Sequence, residues 1–154
     1  MLSDCDGAVR IGIDPGKKGG FAVLIDGKVW KAEVWDDAEF VDTMRQVSQM
    51  RTVARAAVEK VGAMPHQGTV SMFNFGKSCG FIEGTLAAFD IPYQLISPQK
   101  WKAEFGLNSD KQKSIEVCHK LFPDVDLLAT PRCKKPSDGK AESILLCEYA
   151  RRKL

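Results

Sequence analysis

The sequence predicts an α/β domain, a mixed β-sheet flanked by helices in the order βββαβαβαα. Three observations carry that reading. The chain opens with short runs of alternating apolar residues, the period of strands. Apolar positions then move to helical spacing. Two further β-like runs follow, each set off by a helical segment, as strands joined by helical crossovers require. At 154 residues the chain has the length of one domain with a real core, and 1–154 reads as a single unit preceded by a flexible N-terminus over residues 1–7.

Each element has its own justification. Val9, Ile11 and Ile13 alternate with Arg10 and Gly12, and Pro15-Gly16 ends that strand just after Asp14. Phe21 to Ile25 forms a second run, Asp26-Gly27 is a hairpin signal, and Val29 to Trp35 forms a third. Asp36-Asp37 caps a helix from Ala38 to Gln49, in which Phe40, Val41, Met44 and Val47 recur at helical spacing. Thr52 to Val61 reads as a buried strand leading into Glu59, Gly62 to Gly76 as a loop, and Lys77 to Phe89 as a helix rich in small residues. Ile91 to Ile96 is the last strand. Ser97-Pro98 opens a short helix through Trp101, Ser109 to Leu121 forms another, Pro123 to Pro136 is irregular, and the final helix runs from Asp138 to Arg152.

Composition narrows the function classes. The net charge is +2, but residues 1–97 carry 10 Lys/Arg against 12 Asp/Glu while residues 98–154 carry 12 against 8, so the C-terminal third is basic. That third suits a phosphate-bearing partner, although an exposed helix face is commonly basic too. The five cysteines are widely spaced with no Cys-x-x-Cys pair, which argues against zinc and for a reduced, intracellular protein. Acids stand where a signal peptide has bases, and no apolar run is long enough to span a bilayer. A soluble, cytoplasmic protein without membrane contact is expected.

Chemistry is concentrated in acids. Asp14 ends the first strand and Glu59 ends the fourth, so parallel pairing of those strands would bring both carboxylates to one sheet edge. Asp138 and Glu142 lie four apart and share one face of the last helix. Converging carboxylates repel unless divalent cations neutralise them, and oxygen-only ligation without His or Cys favours Mg2+ or Mn2+ over zinc. Taken singly, Asp14 reads as a turn residue before Pro15, Asp138 beside Ser137 as a helix cap, and Glu142 as an exposed helix residue. The glycine-rich stretch from Gly12 to Lys18 is not a nucleotide loop: it is one residue short, lacks the hydroxyl and leads into a strand, so no nucleotide cofactor is expected.

The series Ile11-Gly12-Ile13-Asp14-Pro15-Gly16, Ala57-Val58-Glu59-Lys60-Val61, Lys111-Gln112-Lys113-Ser114 and Asp138-Gly139-Lys140-Ala141-Glu142-Ser143 resembles the RuvC-type Holliday junction resolvases, including their small phage relatives. The resemblance extends over nearly the whole chain. It implies a ribonuclease H-like fold and a dimeric, Mg2+-dependent crossover junction endonuclease, expressed inside a bacterial host, that cuts four-way DNA. It also implies that Asp14, Glu59, Asp138 and Glu142 are the metal-binding acids for two ions, which activate water and stabilise the leaving oxygen of an in-line phosphodiester displacement. Lys100 and Lys113 match the family's basic residues near the cut phosphate, with a surface role as the alternative for each. Lys134 and Lys135 add positive charge for DNA. Where the family carries an aromatic three residues after its second acid, this chain has Gly62, and Phe73 and Phe75 are the available substitutes, with burial in the core as their competing role. Competing functions are a ribonuclease H-like nuclease acting on hybrids or flaps, and a DNA-binding module that has kept the fold without catalysis. An actin-like ATPase would need a second lobe. Paired cuts require two active sites, so a homodimer is expected, built on the helix from Lys77 to Phe89, with Phe81, Ile82, Leu86 and Phe89 as its apolar area and Gly80 and Gly84 allowing close approach.

Overall fold

Alternation along the first strand sets the two sides of the sheet. The computed structural model describes residues 7–154, so residues 1–6 of the expected flexible terminus lie outside the described residues. In β1 (Val9–Asp14), Val9, Ile11 and Ile13 enter one apolar cluster, which leaves Arg10, Gly12 and Asp14 for the opposite face. β2 (Gly20–Ile25) sends Phe21 and Val23 to the first side and Ala22 and Leu24 to the second. The turn to β3 (Lys28–Val34) has left-handed backbone at both Asp26 (φ 52°) and Gly27 (φ 77°), as an Asp-Gly hairpin of the primed type requires.

The chain then crosses the sheet through α1 (Asp37–Ser48), whose expected cap is present: the Asp36 side chain accepts from the Glu39 backbone N–H. β4 (Ala54–Glu59) returns parallel to β1, with Ile13 beside Val58 as the last paired residues. Asp14 and Glu59 are therefore the next residues out on adjacent strands. α2 (Thr69–Ala88) leads to β5 (Tyr93–Ile96), parallel to β4, and the five strands lie in the order β3-β2-β1-β4-β5. Three helices close the chain: α3 (Pro98–Glu104), α4 (Lys111–Leu121) and α5 (Asp138–Lys153). α1 and α2 contribute Phe40, Met44, Ile82 and Leu86 to the core on one face, while α3, α4 and α5 contribute Trp101, Ile115, Cys118 and Ile144 on the other.

Two differences from the sequence reading have physical causes. α2 begins at Thr69, so half of the segment expected to be loop is helix. Its start lacks a side-chain cap, because Gly68 occupies that position, and Val70, Met72 and Phe73 are exposed, so the first turns show no one-sided apolar stripe to read. The order is βββαβαβααα, since the Ser97-Pro98 helix extends to Glu104 as an element in its own right. Its N-cap is Ser97, accepting from the Lys100 backbone N–H.

α5 lies directly against the sheet. A Cβ placed on Gly12 would meet the Ser143 carbonyl oxygen and stand 2.5 Å from the Cys147 nitrogen, and one on Gly139 would stand 2.7 Å from the Gly19 backbone. Only glycine permits these approaches. Every residue of α5 from Gly139 to Ala150 is buried. Gly12→Ala is accordingly expected to lower the free energy of unfolding by at least about 1–3 kcal/mol, the cost of overpacking a close-packed interface. Urea denaturation measures it, and an alanine variant as stable as the parent would contradict the contact.

Candidate metal centre

Sequence order separates the acids; the fold gathers three of them. Asp14 and Glu59 leave the same ends of parallel β1 and β4, and Glu142, 6% exposed, descends from the first turns of α5. One carboxylate oxygen from each lies within 4.8 Å of the others, the one such group of metal-ligating side chains among the described residues. Asp138 stands one turn before Glu142, outside that group. Its neighbour Ser137 is the helix cap, accepting from the Lys140 backbone N–H at 3.2 Å, which leaves the Asp138 carboxylate free to pair with Lys111 at 2.7 Å.

The electrostatics follow from crowding and burial. Burial first, and then the Glu59 and Glu142 carboxylates, push the Asp14 carboxyl up to about 8, with Lys111 opposing the shift. Glu142 is also raised by burial. The Lys102 ammonium opposes that rise, and Glu59 and Asp138 add to it. Lys111 is raised in turn, chiefly by its bond to Asp138. Such a set destabilises its own ionised form. Oxygen-only donors at this spacing fit a hard divalent cation, whose charge removes the repulsion.

Around the acids stand residues that the sequence reading missed. Lys102 approaches Glu142 Oε1 at 3.9 Å, Ser114 Oγ donates to the same oxygen at 3.4 Å, and the Trp101 indole N–H donates to Glu59 Oε2 at 2.7 Å. Lys100 and Lys113, the lysines singled out from sequence, are exposed and make no ion pair with the acids. Each lies two residues from the lysine that does, about 200° around its helix. A periodicity argument could have chosen on α4, because Lys111 shares the inward stripe with Ser114, Ile115 and Cys118. Phe73 is 67% exposed, and the Phe75 ring would be 3.5 Å from a Cβ on Gly16, near the Asp14 turn. Lys134 and Lys135 are exposed just ahead of the α5 N-terminus.

A five-stranded mixed sheet with helices on both faces, and with acids at the ends of its central strand and of the strand beside it, matches the ribonuclease H-like fold of RuvC. Among the solved structures that share this fold with the chain are two of RuvC. RuvC of T. thermophilus in complex with a Holliday junction substrate superposes with a TM-score of 0.66 at 15% sequence identity, covering 94% of this chain and 96% of that one. A second Thermus thermophilus RuvC structure gives 0.63 at 17% identity, with the same coverage of 94% and 96%. At these identities the shared property is the fold. No protein-family model matches the sequence, and no curated protein matches it.

The raised Asp14 carboxyl has a measurable consequence. Because its folded value, about 8, lies above the ordinary 3.8, this group favours the folded state fully at low pH. That contribution is lost as pH climbs through about 8. Metal-free protein should therefore lose thermal stability between about pH 5 and pH 8.5 more steeply than Asp14→Asn does. Millimolar Mg2+ or Mn2+ should raise the melting temperature more at about pH 8.5 than at about pH 6, since the cation binds the ionised form. Equal metal-induced shifts at the two pH values, or an undiminished shift in Asp14→Asn, would contradict this.

Proposed function

We propose that the protein is a metal-dependent endonuclease that hydrolyses phosphodiester bonds at four-way DNA junctions and acts as a homodimer. The observation that carries this reading is the convergence of Asp14, Glu59 and Glu142 from three separate elements on a fold shared with RuvC. The RuvC structure holds a Holliday junction, and that substrate is carried to this chain as part of the proposal.

In this reading Asp14, Glu59 and Glu142 hold Mg2+, or Mn2+ in its place, and Asp138 adds oxygens for a second ion one turn away. A cation bound there supplies Lewis-acid stabilisation of the charge that develops on phosphate oxygens. The chain's own residues position the substrate. Lys102 and Lys111 set positive charge beside the acids, where each can exchange a carboxylate partner for a DNA phosphate. Lys100, Lys113, Lys134 and Lys135 extend the basic surface along the N-terminal ends of α3, α4 and α5. The half-buried Phe75 offers aromatic surface to bases beside the Asp14 turn, whereas exposed Phe73, two residues along α2, points to another face of that helix.

The dimer reading is supported by the two faces of α2. Ile82 and Leu86, expected at the interface, are fully buried in the subunit's own core. The outward face carries Phe73, Lys77, Gly80, Gly84 and Ala87, and a Cβ on either glycine would meet nothing within 4 Å. The glycines therefore do not serve packing inside the subunit. Phe81, 38% exposed, flanks that face.

Four outcomes are expected. With Mg2+, purified protein should cut four-way junctions in preference to linear duplex, flaps or RNA·DNA hybrids, and preference for a hybrid would instead support the ribonuclease reading. Asp14→Asn should abolish cleavage while leaving junction binding intact or tighter, because it removes negative charge near phosphate. Neutralising Lys102 or Lys111 should slow cleavage and lower the salt dependence of junction binding by about one unit of slope per lost phosphate contact. Sedimentation at micromolar concentration should give a dimer, and Phe81→Asp should shift it toward monomer without unfolding it. A parent protein that stays monomeric with DNA and still makes paired cuts would rule the dimer out.

A further inference from the structure

We propose that Trp101 is a positioning residue of the metal centre, whose indole N–H holds one carboxylate oxygen of Glu59 and so presents the other to the cation. The proposal rests on the metal-dependent reading above and adds the residue that orders one of its ligands.

The geometry is specific. Trp101 is fully buried on α3, and its Nε1–H donates to Glu59 Oε2 at 2.7 Å. A buried indole N–H needs an acceptor, and here the acceptor is a carboxylate, the stronger class of partner. Indole is a donor only, so it binds the Glu59 oxygen and offers no lone pair that could compete for a cation. The same side chain has a second contact with the site: Lys102 Nζ stands 5.5 Å from the Trp101 ring centroid and 3.9 Å from Glu142 Oε1. One rigid, buried ring thus touches both Glu59 and the lysine that faces Glu142.

A purely structural tryptophan would be satisfied by any acceptor. A glutamate at a strand end has several rotatable bonds and would sample several rotamers unless one oxygen is tied down. Ser97, capping α3, and the surrounding core hold the ring where the bond forms. The arrangement parallels the outer partners that orient ligands in metal sites generally. A phenylalanine would fill most of the same space and lose only the N–H.

The test compares the full chain with Trp101→Phe, titrated with Mn2+ and followed by electron paramagnetic resonance of the free ion. The variant should bind Mn2+ about tenfold or more weakly, while its melting temperature in EDTA and its junction binding in EDTA stay close to the parent's. In the parent, the Trp101 indole N–H resonance should shift on adding Mg2+ while those of Trp30 and Trp35 hold still. Equal Mn2+ affinity in the two proteins, or an unmoved Trp101 resonance, would overturn the assignment. The resonance decides the matter by itself if the variant does not fold. A parent that takes up no Mn2+ would overturn the metal-dependent reading together with this one. Parent binding that Trp101→Phe matches would remove only the role of Trp101.

Discussion

The backbone-to-backbone approach of the last helix to the first strand is the constraint on which the rest of this structure depends. Gly12 has no side chain because the Ser143 carbonyl and the Cys147 nitrogen occupy the space, and Gly139 lies equally close to Gly19. With Gly139 through Ala150 buried, α5 has no freedom to slide or rotate without breaking packing along three turns. Two residues beyond Gly12 on the same face of β1 is Asp14; one residue before Ser143 is Glu142. Their separation is therefore fixed by main-chain contact rather than by flexible side chains, which is the kind of support a ligand set requires.

The site built on that contact is held together against its own charge. Three carboxylates within 4.8 Å, partly removed from water, cost the folded state free energy that the elevated Asp14 carboxyl expresses. The partial compensation comes from the helical layer to which α5 itself belongs. Lys102 on α3 and Lys111 on α4 bring the cations, while Trp101 and Ser114 bring neutral donors. Lys111 reaches the cluster only through Asp138, and Lys102 stops at 3.9 Å from Glu142, so neither lysine neutralises the centre by direct close pairing. The cluster is thus left with net negative charge, as the cation site proposed for it requires.

α2 packs on the sheet without an amphipathic signature. Its inner stripe, Ile82 and Leu86, closes the core over β1 and β4, with Phe40 and Met44 of α1 beside it. The outer stripe is mostly small or apolar, with Lys77 over the Phe73 ring as its charge. Small and apolar residues on both sides flatten the pattern that normally marks a helix, and the outer ones form the surface proposed for a second chain.

Most of the fold was legible because the rules that set it are local. Strand alternation in Val9 to Ile13, the Asp-Gly turn and the caps at Asp36 and Ser97 each act within a few residues, and each is present as read. The positions of the acids at strand ends and on one helix face were legible for a related reason, since sequence spacing defines them, and the structure gathers Asp14, Glu59 and Glu142 while Asp138 pairs with Lys111. The start of α2 was not, because nothing local marks an uncapped helix with apolar residues all round. On α4 the stripe of Ser114, Ile115 and Cys118 marks Lys111 as the lysine that turns toward the acids. On the seven-residue α3, the pairing of Lys102 rather than Lys100 with an acid depends on the rotation of the helix about its axis, which packing of Trp101 into the core sets. Sequence alone therefore determined which elements form and which acids sit at their ends. Only tertiary packing decided which acids meet, which cations face them and that an indole N–H orients Glu59, because those contacts join residues many positions apart whose mutual distance no local rule constrains.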